Sequence, residues 1–149
     1  MIISETKNVN LIKLIVTDPT LWLLEGGEGQ DPKSYKPYLG HIWLKIIHNR
    51  DIIGLLELRE FTKITYEGHI YILPQYHASG LALEAGVALI GYIRKLNKIK
   101  NIITTVPTSC DHVLNFLKKL GFSVNGIIQN GIIYNGKYQD LIMQQLEVR

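Results

Sequence analysis

The chain has 149 residues, 46% of them hydrophobic and 19% charged, with a net charge of +3. That length buries a sizeable core and fits one domain over residues 1–149. The mild charge, spread over scattered lysines, excludes a nucleic-acid footprint, and no apolar run is long enough to cross a bilayer.

A single cysteine, Cys110, excludes an internal disulfide and a cysteine-rich metal site. No histidine or aspartate spacing resembles a metal site, so none is expected. The N-terminus lacks a signal-peptide pattern, and a reducing, cytoplasmic setting is expected.

Apolar positions at Val9, Ile12, Leu14 and Ile15 predict a helix over residues 8–16. Asp18-Pro19 offers an N-cap and a proline suited to the first helical position, so a short helix follows over Thr20 to Leu24, carrying Trp22. Glu25 to Leu39 holds three glycines and two prolines and reads as a loop. Its Tyr35 and Tyr38, with Trp22, are candidates to line a substrate pocket. They serve equally as covers over a sheet.

Three strand patterns come next, His41 to Ile47, Ile52 to Arg59 and Ile64 to Leu73. The short turns between them predict an antiparallel meander. Ser79 to Leu96, apolar on nearly all sides, predicts a long core helix sandwiched by other elements. Asn101 to Val106 is a short buried strand. Ser109 to Leu120 is a second long helix, stopped by Gly121 at the C′ position. Phe122 to Asn130 and Tyr138 to Val148 are two closing strands, with Asn135-Gly136 as a tight turn between them. The order predicts a mixed α/β fold, with a parallel crossover from Ile70 to Val106.

Chemistry concentrates where the third strand meets the long helix, at Leu73-Pro74-Gln75-Tyr76-His77-Ala78-Ser79-Gly80-Leu81-Ala82. A small-residue loop at a helix start places free N–H groups at a positive end, which suits a phosphate. Backbone N–H groups from Ala78 to Leu81 are the candidate donors. Gly80 lets the backbone come close, Ala82 is small enough for helix packing, and His77 adds a hydrogen bond or a charge. The plainer reading is a strand-to-helix turn with Ser79 as N-cap.

Alternation along the strand before this loop puts Thr65, Glu67, His69, Tyr71 and Leu73 on one face. Glu67 and His69 can each accept a proton as a general base. His69 is the first candidate and Glu67, with a raised pKa, the second. Both are otherwise solvated residues on an open sheet face. Glu57 and Arg59 on the neighbouring strand are expected to form a plain ion pair, worth little. Cys110 lies near a helix start, where a thiol pKa falls. With no histidine and acid arranged around it, it reads as a small semi-buried residue.

Three segments carry a resemblance to the GNAT acyltransferase superfamily. The loop from Leu73 to Ala82 resembles the family's pyrophosphate loop, Pro-x-Tyr-Arg-Gly-x-Gly-x-Gly/Ala. Val106-Pro107 through Asn115-Phe116-Leu117-Lys118-Lys119-Leu120-Gly121-Phe122 resembles the stretch from the fifth strand through the fourth helix. Gly131 to Leu141 is similar to the closing hairpin of ribosomal-protein-acetylating members. In this chain His77 stands where Arg or Gln is usual, and Ala78 replaces the first loop glycine. Cys110 falls near the usual cofactor-contacting Asn, and Leu117 stands where many members carry a Tyr that protonates the leaving thiolate.

The resemblance implies a twisted mixed sheet of six or seven strands with helices on both faces. It implies a gap between strands four and five that receives the pantetheine arm of acetyl-CoA. Backbone groups of Tyr71, Ile72 and Leu73 would pair with that arm. His77, Ala78, Ser79, Gly80, Leu81 and Ala82 would form the phosphate loop, with Cys110 and Phe116 as further cofactor contacts. The implied function is acetyl-CoA-dependent N-acetyl transfer to an amine, a small molecule or a protein N-terminus or lysine. The alternative is a catalytically degenerate accessory or interaction protein, of phage or mobile-element type. A third reading is a nucleotide- or other phosphate-binding module. No nucleic-acid or membrane partner is expected, and the oligomeric state is left open, a dimer included.

Overall fold

The computed structural model describes residues 1–22 and 29–149. Its elements in chain order are β1 (Ile2–Glu5), α1 (Val9–Val16), α2 (Pro19–Trp22), β2 (Ile42–His48), β3 (Asp51–Glu60), β4 (Thr65–Ile72), α3 (Leu81–Leu96), β5 (Asn101–Pro107), α4 (Asp111–Lys119), β6 (Ser123–Tyr134) and β7 (Lys137–Glu147). Leu23 and Leu24, expected to end the short helix, and the first residues of the expected loop lie outside the described residues.

Local chemistry sets the element ends. The Asn8 side chain accepts from Leu11 N at 3.0 Å and starts α1. Asp18 Oδ1 accepts from Thr20 N at 2.9 Å and starts α2, with Pro19 at its first position. The turns at Asn49-Arg50 and Asn135-Gly136 have positive φ at both central residues, the geometry that matches strand twist in a two-residue hairpin. Gly121, at φ +96°, ends α4 as expected.

The strands form one seven-stranded sheet in the order β1-β2-β3-β4-β5-β7-β6. β2, β3 and β4 are the antiparallel meander that the short turns predict. β4 and β5 are parallel, joined through α3. Both faces are covered. On one, Leu44, Ile46, Leu56, Leu58 and Ile72 pack with Ala85, Leu89 and Ile93 of α3. On the other, Trp43, Leu55 and Tyr71 pack with Ile12, Ile15, Val16 and Leu21 of α1 and α2.

The structure corrects four expectations. β1 is a strand that the periodicity did not reveal, because four residues are too few for alternation to show. α3 begins at Leu81 rather than Ser79, since Gly80 at φ +78° cannot continue a right-handed helix. α3 is not sandwiched on all sides, as Leu83 and Val87 are exposed. β6 runs on to Tyr134, four residues beyond its expected end at Asn130, because β7 is there to pair with it.

Candidate functional site

β4 and β5 pair only from Thr65 to Glu67, opposite Asn101 to Ile103. Beyond that point each strand keeps its other neighbour. β4 stays on β3 as far as Ile72, and β5 stays on β7 as far as Pro107. The two strands therefore diverge. The gap opens into a largely apolar cavity of about 370 Å³, walled by β4, β5, α3 and α4. His69, Ile72, His77, Ala82, Cys110, Phe116 and Leu117 are among its lining residues.

Of the phosphate-loop candidates, His77 and Ala82 line this cleft. Pro74 to Tyr76 form a single 3-10 turn, and Gly80 caps α3 in the left-handed conformation. A Cβ at Gly80 would meet nothing within 4 Å, so backbone conformation, not crowding, requires glycine there. Ser79 is not the N-cap. Its Oγ donates to Tyr76 O at 2.6 Å and accepts from Leu81 N at 3.3 Å. Ser79 N in turn donates to Tyr76 O at 3.4 Å. Among the described residues nothing accepts from the amides of Ala78, Gly80 and Ala82. Of the expected run from Ala78 to Leu81, Ser79 N and Leu81 N are thus taken and Ala78 and Gly80 are left over, with Ala82 added beyond it.

Two expected contacts change. Leu73 N donates to Ile53 O at 2.9 Å, whereas Ile64 O accepts from Lys100 N and Asn101 N on the β5 side. Backbone polar groups alternate along a strand, so those of Tyr71 and Leu73 point at β3 and those of Ile70 and Ile72 point at the cleft. Of Tyr71, Ile72 and Leu73, only Ile72 offers its backbone to an arm in the gap. His77 already holds that group, its Nε2 donating to Ile72 O at 2.6 Å. His77 therefore turns toward the strand rather than into the amide cradle.

The other side of β4 carries titratable chemistry, and the expected alternation holds. His69 Nε2 donates to Glu67 Oε1 at 2.9 Å, with the two side chains 19% and 31% exposed. The hydrogen bond from His69 is the largest effect and holds the Glu67 carboxyl below its ordinary range; partial burial opposes it, and the charges of His69, Arg59 and His41 add to the lowering. Glu67 is thus an ionised partner for His69, not a base with a raised pKa.

Glu57 overturns the plain-pair expectation. It is 3% exposed and accepts from His41 Nδ1 at 2.6 Å, Arg59 Nη2 at 2.9 Å and the Tyr71 hydroxyl at 3.2 Å. Sequence reasoning missed His41 altogether. It precedes β2 and meets Glu57 only because β2 and β3 pair in this register.

The remaining candidates divide. Cys110 is buried at the start of α4 and lines the cleft with Phe116. Burial pushes the phenol of neighbouring Tyr134 up, and Cys110 adds to that. Leu117 presents only carbon to the cleft. Trp22 and Tyr35 meet edge to face at 5.6 Å and pack on the α1–α2 core, so they cover the sheet. Tyr38 is exposed and leans edge-on against His41 at 4.8 Å, beside the titratable cluster. The arrangement has, among the described residues, three unbonded amides where the loop meets α3, a largely apolar cleft lined by His69, His77 and Ala82, and a carboxylate bonded to His69.

Residues 33–143 match the acetyltransferase (GNAT) domain family. In sequence the chain is 30% identical over 91 residues to spermidine N(1)-acetyltransferase of Escherichia coli strain K12, covering 60% of this chain and 49% of that protein. The same figures hold for the protein of strain O157:H7. The chain thus spans about half the length of the curated relatives it matches. In structure it is similar to spermidine N-acetyltransferase from Vibrio cholerae in complex with CoA and spermine, with a TM-score of 0.82 and 16% identity over 99% of this chain and 95% of the other. Ribosomal-protein-alanine N-acetyltransferase from Brucella melitensis aligns with a TM-score of 0.72 and 14% identity, over 99% of both chains. At such identities the likeness is one of fold.

Proposed function

Because this chain belongs to the GNAT acetyltransferase family, we propose that it transfers the acetyl group of acetyl-CoA to an amine, which attacks the thioester directly. One observation carries the reading. The divergence of β4 and β5 opens a cleft lined by His69, His77 and Ala82, with Glu67 bonded to His69 and the amides of Ala78, Gly80 and Ala82 left over where the loop meets α3.

Acetyl-CoA supplies the activated acyl carbonyl when bound. The amides of Ala78, Gly80 and Ala82 hold its diphosphate, and the apolar cleft walls exclude water from its arm. The Ile72 carbonyl serves as the backbone anchor once His77 releases it. His69 accepts the proton of the attacking amine, directly or through water. Glu67, ionised and bonded to Nε2, fixes the ring and stabilises the imidazolium that results. Leu117 has no proton to give, so protonation of the departing sulfur falls to water. This built pair and open cleft favour an enzyme over a degenerate accessory protein.

Polyamines are the first acceptors to assay, because the relatives matched in sequence are named as spermidine acetyltransferases. Peptide N-termini come second. Acetyl-CoA at about 100 times its Kd should raise the melting temperature by about 5–10 °C, and nucleotides should not. Thiol release should then follow on adding spermidine or another amine of the panel. Stabilisation by nucleotides alone, or none by acetyl-CoA, would refute the proposal.

A further inference from the structure

A buried carboxylate is costly unless paired, and a paired one often stabilises a fold no better than an apolar residue of its size. Fold stability is therefore a weak account of Glu57, which sits almost wholly buried under three donors. Its position gives a better one. β3 and β4 pair so that Glu57 stands opposite His69 and Arg59 stands opposite Glu67. With this pairing the four side chains share one sheet face. Glu57 grips Arg59 on its own strand and His41 from the β2 side, and both of those lie close enough to act on Glu67.

We infer that Glu57 is a positioning residue for acetyl transfer, fixing Arg59 and His41 beside the Glu67–His69 pair. This rests on the transferase reading with His69 as base. Around the pair, among the described residues, the segment before β2 brings His41, with Lys7 Nζ donating to its carbonyl at 3.3 Å. β3 brings Glu57 and Arg59, and β4 brings Tyr71. α1 and α2 contribute apolar Ile12, Ile15 and Leu21 to the same face, with the phenols of Tyr35 and Tyr38 nearby. Across the cleft lie His77, Cys110 and His112.

The test is a pair of charge removals of opposite sign, Glu57→Gln and Arg59→Gln. The His69 imidazole is titrated by NMR in the ligand-free protein, and kcat/KM is followed against pH. Losing the negative charge should ease the proton off His69, moving its titration and the acidic limb of kcat/KM to lower pH. Losing the positive charge should move both to higher pH, by about 0.5 pH unit or more in each case. The affinity for acetyl-CoA should stay unchanged. Loosened packing would shift the two variants the same way or not at all, and either result overturns the inference. Should Glu57→Gln fail to fold, the part-exposed Arg59→Gln decides alone, since an unmoved titration overturns the inference. Opposite shifts in a protein that transfers no acetyl group would overturn the transferase reading and with it the role given to Glu57. Unmoved titrations in active enzyme would overturn the inference alone.

Discussion

Replacing Gly80 separates folding from ligand binding. Its φ of +78° costs a side-chain-bearing residue about 1–2 kcal/mol. Nothing lies within 4 Å of the added Cβ, so no steric term joins this cost. Gly80→Ala should therefore lower the melting temperature by about 2–8 °C and leave the fold intact. Gly80→Glu has the same backbone cost but sets a carboxylate beside the amides of Ala78, Gly80 and Ala82. Losing one charge-assisted amide contact costs about 1.5–3 kcal/mol. Repulsion between the new carboxylate and a diphosphate about 4 Å away adds roughly 1–4 kcal/mol, depending on solvent exposure. Together they weaken acetyl-CoA binding by about 100-fold or more. Calorimetric titration of the two variants, beside urea unfolding, reads both quantities. A Gly80→Glu protein that folds and binds acetyl-CoA as tightly as the unsubstituted chain would refute the amide cradle.

His69→Ala should cut kcat by about 10²–10⁴-fold while leaving the acetyl-CoA Kd unchanged, and full turnover would remove His69 from the mechanism. Glu67 gives a pH signature. Its carboxyl titrates lower in the folded chain than in the unfolded one, chiefly through the His69 hydrogen bond. The unfolded chain therefore binds the proton more readily. The stabilisation is complete above the unfolded carboxyl pKa and is lost as pH falls through the lower folded value. Between about pH 5 and pH 3 the unsubstituted chain should lose more urea stability than Glu67→Gln, and parallel curves would count against the pair. Gly54→Ala tests the meander. The new Cβ would lie 2.2 Å from the Tyr71 carbonyl oxygen, so β3 and β4 must part. A loss of about 2–3 kcal/mol is expected in urea unfolding, and an unchanged midpoint would contradict the β3–β4 register.

Much of the architecture was legible because it is written in local chemistry. The turns fix the meander and the closing hairpin, and Gly121 fixes the end of α4. Alternation on β4 was enough to place Glu67 and His69 side by side. The cleft was legible only through a resemblance, since no local pattern says that β4 and β5 part after Glu67. Glu57 was misjudged for a similar reason. One acidic residue among Leu55, Leu56 and Leu58 carries no sign of how deeply it is buried. Depth and partners come from β2 and β4 pressing on both sides, and His41 reaches it across a loop and a strand. The His77 contact was hidden because a 3-10 turn, not the helix start, sets where that ring points.

If a pantetheine-like arm docks along β4 as proposed, the 2.6 Å bond from His77 to the Ile72 carbonyl makes that docking a trade of partners. A guest amide arriving there gains an acceptor only as the imidazole gives one up, so that contact adds little net enthalpy of its own. The ring, on its exposed turn, becomes a doorman at the strand's end. Swapping it for alanine leaves the carbonyl waiting on solvent, and guests should then be admitted faster.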